Sequence, residues 1–360
     1  MGDTSQRIKR ILIVRTDRLG DVILTLPMLP VLRKCFPGAY IAMLLRRYTG
    51  EIIEGNPYVD ELLWYDKGEN LIPFDSMCRT IRQRRFDAAI VVYPRLRLAW
   101  LMFRSGIPLR IGTGYRYYSF LFTKRVYEHR KDAKKHEVEY NLNLLNELGR
   151  KTPELNKPPE FFVDIPDDAK SNVSRLLHLR GIASDEELVI VHPGSGGSAR
   201  EWSTDSFGML AARFCVEKGA KVIVTGGPGE EKKGAQVVTA SGGRAVSLAG
   251  ELGIKELGAL IGMAGLFISN STGPLHLAVA MGTPVVGLYP QATPMSARRW
   301  GPYTEEKAVL VPNKPVDCRD CIGNEAGACA CMASISVQQV YDAACELLAR
   351  RRLRKNVTHA

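Results

Sequence analysis

Residues 266–290 read LFISNSTGPLHLAVAMGTPVVGLYP. The first four are a short apolar run of the kind a fully buried parallel strand shows. Asn270, Ser271, Thr272 and Gly273 then place side-chain oxygens and N–H groups where a helix begins, an arrangement that suits an anion. Pro274 falls in the first helical turn, where proline is tolerated. Leu275, Leu277, Ala278, Val279 and Met281 supply a packing face, Gly282 marks the exit, and residues 285–289 are the next apolar strand. The stretch is therefore a βαβ unit. His276, one turn inside the helix, is placed to look back toward the polar turn; an ordinary αβ turn with a core histidine is the plainer reading of the same residues.

The rhythm extends upstream, with a helix over about 169–179 and strands at 188–192, 221–225 and 245–248. The first of these strands ends in HPGSGGSAREW, residues 192–202, a Gly/Ser loop closed by a guanidinium and an indole. Its glycines, Gly196 among them, let a backbone come close to a ligand, Ser195 can donate, and Arg200 can hold two phosphate oxygens at once. The second strand ends in TGGPGEE, where glycines again permit approach and Glu230 or Glu231 can accept from ribose hydroxyls. Three ligand-compatible loops on one sheet edge match the place where open α/β sheets bind their ligands.

The first half repeats the alternation. IKRILIVRT, residues 8–16, is a strand, and DRLGD turns into a helix expected to run to Phe36. No G-x-G-x-x-G follows this strand, and an aspartate at a helix start repels a pyrophosphate, so the turn is not a dinucleotide fingerprint. Asp21 has two readings: an N-cap whose carboxylate accepts from an early amide, or a general base projecting from the strand's carboxyl end into a ligand crevice. Strands at 40–45, 61–65, 88–93 and 109–112 alternate with helices at 74–85 and 96–103, and a helix over 138–148 closes this half. The segment LGRKTPELNKPPEFFVDIPDD, with four prolines, is a linker. Trp100 and Phe103, with Tyr115, Tyr117, Tyr118 and Phe120, are expected to be core and rim packing.

A chain of 360 residues with 45% hydrophobic content is long enough for two cores. The alternation makes both α/β with parallel sheets, assigned as residues 1–165 and 166–335, and leaves 336–360 as a final helix. No apolar run approaches the ~20 residues of a membrane span, and the N-terminus leads directly into a strand, so a cytoplasmic protein is expected. The net charge of +11 is lopsided: residues 1–150 hold 26 Lys+Arg against 16 Asp+Glu, and residues 151–360 hold 23 against 22. Within the first half, residues 79–135 carry 15 basic and three acidic residues, a field suited to a polyanion or an anionic membrane surface. Nucleic acid is disfavoured as partner, since no helix-turn-helix, RNP-like or zinc-finger pattern accompanies the charge. Cys318, Cys321, Cys329 and Cys331 have the inventory of a structural four-thiolate zinc site, free thiols or a redox-labile pair being the other readings. A helix over 337–353 ends in an arginine cluster that favours a helix C-terminus and suits an anionic surface.

VRTDRLGDVILTLPMLPVLR, VHPGSGGSAREW, GGPGEE, SLAGELGIKELGALI and SNSTGPLHLAVAMGTPVVGLY, in this order and spacing, resemble the ADP-heptose:lipopolysaccharide heptosyltransferases, glycosyltransferase family nine. The resemblance spans essentially the whole chain. It implies a GT-B architecture of two Rossmann-like doubly wound domains, the first holding the acceptor, the second the nucleotide-sugar, with the last helix crossing back. It implies further that Asp21 is the base deprotonating the acceptor hydroxyl, and that residues 195–200 form the phosphate loop, with Arg200 where the family commonly has Lys. Thr272, Gly273 and His276 match the donor turn, and Glu230 or Glu231 the acidic position near the ribose. Ser271 stands where a family Asp often precedes Thr-Gly, which leaves the sugar open. The adenine pocket falls near residues 248–252. The activity implied is inverting heptose transfer from an ADP-sugar to an anionic glycolipid, lipopolysaccharide inner core, without a required cofactor, on the inner leaflet as a peripheral protein. The other readings are a transferase on a different nucleotide-sugar and a non-catalytic nucleotide- or polyanion-binding protein.

Overall fold

The computed structural model describes residues 8–150, 158–313 and 331–358, with side chains described as far as residue 353. The chain divides into two compact units, Met1–Asp164 and Ile165–Ala360.

In the first unit β1 (Arg10–Val14) is an aliphatic strand buried along nearly its whole length. Two helices, α1 (Leu19–Ile23) and α2 (Met28–Cys35), then lead to β2 (Tyr40–Leu45). The single helix expected up to Phe36 is thus broken, because Pro27 has no N–H to continue α1 and instead caps α2. After α3 (Arg47–Gly50) and β3 (Glu61–Trp64) comes a two-stranded hairpin, β4 (Asp66–Lys67) and β5 (Asn70–Leu71), too short to leave an alternating pattern. Then follow α4 (Phe74–Gln83), β6 (Ala88–Val91), α5 (Leu96–Arg104), β7 (Leu109–Thr113), the short basic strand β8 (Lys124–Val126) and α6 (Glu137–Asn143). The helix expected over 138–148 is α6 continued by a 3₁₀ turn at Leu144–Leu148. Six strands form one sheet in the order β3-β2-β1-β6-β7-β8, every neighbouring pair parallel.

The second unit repeats this plan. Its elements are α7 (Asp167–Leu179), β9 (Leu188–His192), α8 (Thr204–Lys218), β10 (Lys221–Val224), α9 (Glu231–Ala240), β11 (Val246–Ser247), α10 (Ile254–Met263), β12 (Leu266–Asn270), α11 (Gly273–Ala280), β13 (Val285–Leu288), α12 (Ala297–Trp300), β14 (Lys307–Leu310) and α13 (Val337–Thr358). The sheet order is β11-β10-β9-β12-β13-β14, again wholly parallel. Val340, Tyr341, Ala344, Leu347 and Leu348 of α13 enter the same core as Trp202, Phe207 and Phe214. Both sheets are doubly wound. Each therefore has a topological switch point beside its first strand, β1 against β6 and β9 against β12, where the strand ends open a crevice for ligands.

Among the described residues no helix is long and apolar enough to cross a membrane, and no group of His, Cys, Asp and Glu is arranged to hold a metal ion. Cys331 is buried in the core of the second unit, while Cys318, Cys321 and Cys329 lie outside the described residues.

Candidate active site

Asp21 sits immediately beyond β1, at the first unit's switch point. It is not a cap. The N-cap of α1 is Arg18, with extended backbone (φ −84°, ψ 162°), and Asp21 lies in the third helical position. Its carboxylate instead accepts from the guanidinium of Arg15, the residue after β1, whose side chain is only 3% exposed. Arg15 serves three carboxylates. Its Nε donates to Asp17 Oδ1 at 2.8 Å, and its Nη1 lies 3.7 Å from Glu137 Oε1. Burial opposes the charge on Arg15, yet the three carboxylates hold its pKa above the ordinary value. Burial pushes the carboxyl of Asp17 up to about 6, against the pull of Arg15.

Glu137 comes from the far end of the unit. It opens α6, where His136 Nδ1 accepts the Val138 amide at 3.2 Å and Glu139 Oε2 accepts the His136 amide at 3.0 Å, a reciprocal cap that fixes the helix start. Arg130 Nη1 pairs with Glu137 Oε1 at 2.5 Å and donates to Asn141 Oδ1 at 2.9 Å. Asn141 Nδ2 in turn donates to the Leu24 carbonyl at 2.9 Å, and Thr25 Oγ1 donates to the Asp21 carbonyl at 2.8 Å. The backbone of α1 and the carboxylate it carries are thus held from both sides.

In the second unit three loops gather at the carboxyl ends of β9, β10 and β12. The loop after β9 turns through Gly196 and Gly197 with φ of 54° and 72°, a left-handed conformation that favours glycine. Ser195 is turned inward: its amide donates to Glu201 Oε1 at 2.8 Å, and its hydroxyl lies 2.8 Å from the same oxygen. Glu201 Oε2 takes Lys233 Nζ at 2.6 Å, so a buried carboxylate ties this loop to α9. Asn270 ties it to the loop after β12, accepting from the Trp202 amide at 2.9 Å and donating to the Pro193 carbonyl at 2.7 Å. Ser198 adds a second tie, its hydroxyl 3.2 Å from the Ser271 carbonyl. The indole of Trp202 is buried and donates to the Ile335 carbonyl at 2.8 Å. Arg200 remains half-buried in the same loop.

Glu230 accepts the Gly227 amide at 2.8 Å and lies against Gly194, where a Cβ would come within 1.9 Å of its Oε1. His192 is buried behind it, Nδ1 3.0 Å from Thr225 Oγ1 and Nε2 4.0 Å from Glu230 Oε2. Burial lowers its pKa to about 4 despite Glu230 and Glu201, which keeps the ring neutral at physiological pH. Glu231 opens α9 and accepts the Gly229 amide at 3.0 Å, a bond that holds its carboxyl below the usual range. Ser271 and Thr272 are buried beside Gly273, with Thr272 the N-cap of α11, and His276 is buried in that helix. Near the expected adenine position Leu248 is buried, while Glu251 and Leu252 line a groove of about 220 Å³ with Asn172, Val173 and Leu176.

The family profile for glycosyltransferase family 9 (heptosyltransferase) matches residues 75–325, well over half of the chain. The chain belongs to glycosyltransferase family 9. A putative glycosyltransferase of Haemophilus influenzae is 27% identical over 301 residues, covering 83% of this chain and 87% of its own. A crystal structure of a family 9 glycosyl transferase from Veillonella parvula superposes with a TM-score of 0.80 at 26% identity, over 95% of this chain and 97% of that one. The Escherichia coli ADP-heptose lps heptosyltransferase II shares the fold with a TM-score of 0.75 at 20% identity, over 95% and 99% of the two chains. The architecture is accordingly GT-B, two Rossmann-like domains each with a parallel sheet.

In this glycosyltransferase the structure gathers Ser195, Gly196, Arg200, Glu230, Glu231, Ser271, Thr272, Gly273 and His276 on loops and helix starts at one edge of the second sheet, and puts Asp21 at the corresponding edge of the first. Arg15, Asp17, Glu137, Glu201 and Lys233 were not singled out by motif reading, and Asn270, read as part of the polar turn, serves instead to tie the two loops together. Glu201 and Lys233 had a visible signal, charges beside the Gly/Ser loop and in the first turn after TGGPGEE. Glu137 had none, because its role depends on which strands neighbour β1.

Proposed function

We propose that this glycosyltransferase moves a heptose from ADP-heptose, with inversion, to a lipopolysaccharide inner-core acceptor, and that Asp21 is the base. The observation that carries this is the carboxylate of Asp21 fixed on a buried guanidinium at the switch point of the first sheet, oriented by an ion pair rather than spent on a cap. Arg15 engages Oδ1, which leaves Oδ2 to take the proton of the acceptor hydroxyl. As the proton moves, the acceptor oxygen bonds to the anomeric carbon from the side opposite ADP, and the bond to the diphosphate oxygen breaks. The negative charge released on ADP is met by Arg200 and by the amides at Thr272 and Gly273, groups already in place before the bond breaks. No divalent cation takes part on this reading. The E. coli neighbour whose name includes ADP-heptose and lps supports this donor and acceptor, as does the basic first unit for an acceptor bearing phosphates and carboxylates. Such an acceptor is lipid-anchored, which brings the enzyme to a membrane surface.

Ser271 favours a second reading. Where family members often carry a carboxylate to hold the sugar, this chain has the uncharged hydroxyl of Ser271, so a different sugar on the same nucleotide, or on another, fits the same frame. Purified protein assayed against ADP-, UDP- and GDP-sugars with defined truncated lipopolysaccharide acceptors tests both. Transfer confined to ADP-heptose supports the first. Transfer from another sugar supports the second, and nucleotide binding without transfer from any donor overturns both.

A further inference from the structure

Helix α5 is apolar on two faces. Leu98, Ala99, Leu101 and Met102 lie in the core of the first unit, as an amphipathic helix requires. On the opposite side Leu96, Trp100 and Phe103, spaced four and three residues apart, form a second stripe, and Trp100 and Phe103 are 42% and 45% exposed. A helix hydrophobic all round is ordinarily buried. The 3₁₀ turn at Ser119–Leu121 packs beside it and extends the patch: Tyr118 and Leu121 go into the core, while Tyr117 and Phe120 are 79% and 68% exposed. Arg110 fastens the two pieces, its guanidinium 5.4 Å from the Phe103 ring centre and donating to the Leu121 carbonyl at 2.7 Å. These aromatics, expected from sequence to be core and rim packing, are to a large extent surface.

The charge along this stretch of chain has one sign, although Lys124 lies 4.0 Å from Glu147 of a later segment. Residues 88–127 contain six arginines and one lysine and no Asp or Glu. Of these cations Arg95, Arg104, Arg116, Lys124 and Arg125 are exposed, while Arg97 and Arg110 hold backbone carbonyls. Exposed Trp, Phe, Tyr and Leu set among Arg and Lys match the composition that lies at the boundary between lipid headgroups and acyl chains. A second copy docking through the same face would set like charges against each other. Nucleic acid needs open ring faces for its bases, but Trp100 stacks on Phe103 at 5.4 Å and Arg110 sits over Phe103.

We infer that the outer face of α5 together with Tyr117 and Phe120 is the surface by which this enzyme seats itself on an anionic lipid bilayer. The inference rests on the proposed function only in that a lipid-anchored acceptor brings the enzyme to a membrane; the seat itself needs neither donor nor acceptor. Apolar side chains enter the boundary region, and the exposed cations add roughly a five-fold gain in partition each.

The test uses the full chain and vesicles of phosphatidylcholine with phosphatidylglycerol, or of phosphatidylcholine alone, with no sugar substrate present. The wild type is expected to sediment with the anionic vesicles and to release at high salt. The triple variant W100Q/F103Q/F120Q is expected to lose partition about ten-fold or more while keeping its circular dichroism and its ADP affinity. R104Q/R116Q/R125Q, changed at exposed positions only, is expected to lose about a hundred-fold, so a failure of the aromatic variant to fold still leaves a reading. Brominated acyl chains should quench the wild type's tryptophan emission, and W100F should bind as well but lose the quenching. Unchanged vesicle binding in both multiple variants overturns the inference. So does loss of self-association, or of oligonucleotide binding, with vesicle binding intact. A protein that transfers no sugar yet binds vesicles through this face would defeat the proposed function and leave the seat standing.

Discussion

Asp21 and Asp17 share one guanidinium, and their substitutions should separate chemistry from stability. Asn keeps the shape of Asp21 and can still accept from Arg15, but cannot take up a proton as a base. Asp21→Asn is therefore expected to fold and to keep its ADP affinity, while transfer falls by roughly 10²–10⁴-fold. A near wild-type turnover with saturating acceptor would move the base elsewhere. For Asp17 the sign of the pH effect is unusual. Its carboxyl is raised from 3.8 to about 6, so between those values the folded protein keeps a proton that the unfolded chain has released. On this group's account stability is greatest below about pH 4 and falls as pH rises to about 6, by at most about 3 kcal/mol. Urea unfolding of Asp17→Asn across this range should lack that decline relative to wild type; an identical slope would place the proton on another group. The motif LGD pointed to Asp21 directly. Its true partner was hidden, because Arg15 reads as an ordinary strand-end cation until β1, α1 and α6 are brought together. The cap reading failed for a local reason: the extended residue before the helix is Arg18, three positions earlier than a cap at Asp21 requires.

The loop between β9 and α8 shows what element-level reading can and cannot reach. Gly/Ser composition identified it as a place for close backbone approach, and the two left-handed glycines fit that use. Composition could not tell that Ser195 faces inward to Glu201, or that Trp202 belongs to the core, because both depend on Asn270 and Lys233 from other elements. Most apolar strands were legible to within a residue or two; β14, a half-exposed edge strand of four residues, was not, nor were β8 and the β4–β5 hairpin, two or three residues long and polar. The aromatics after β6 were misread, since nothing in their spacing says which of two apolar helix faces has a core beneath it. Two substitutions probe the loop. Arg200→Ala should weaken ADP-sugar binding by about 1.5–3 kcal/mol, with Arg200→Lys restoring most of it; unchanged affinity by calorimetry would take Arg200 out of the site. Gly194→Ala drives a methyl into the end of the Glu230 side chain, which can swing away at little cost in melting temperature. Donor affinity should then drop by about 0.5–1.5 kcal/mol if Glu230 holds the ribose. A stable variant with wild-type affinity would exclude that role.

At the scale of the molecule the proposed function assigns the donor to the second unit and the acceptor to the first, and ligand-linked stability tests that division. ADP at about a hundred times its dissociation constant adds about 2.7 kcal/mol to whatever it binds. Hydrogen exchange is expected to slow in the loops after β9, β10 and β12 and in α11, and to stay unchanged around Asp21. Protection appearing first in the α1 region would assign the nucleotide to the wrong unit. Chelators should leave transfer intact, because four thiolates saturate zinc and leave no position for substrate, so any metal at the cysteines is structural. Activity lost to EDTA and restored by zinc, with no change in folding signal, would overturn that.

The network that holds Asp21 also sets a timetable. Asn141 reaches the Leu24 carbonyl across 117 residues of chain, and Glu137 comes from the same late segment. A ribosome adding about 5–20 residues per second takes on the order of ten seconds to travel that far, during which the growing polypeptide carries the LGD motif without its bracing. Arg15 would meanwhile face Asp17 and Asp21 without Glu137. The carboxylate thus acquires its full set of neighbours only when the first unit is essentially complete, so nascent chains and N-terminal breakdown products would carry the motif and lack its bracing.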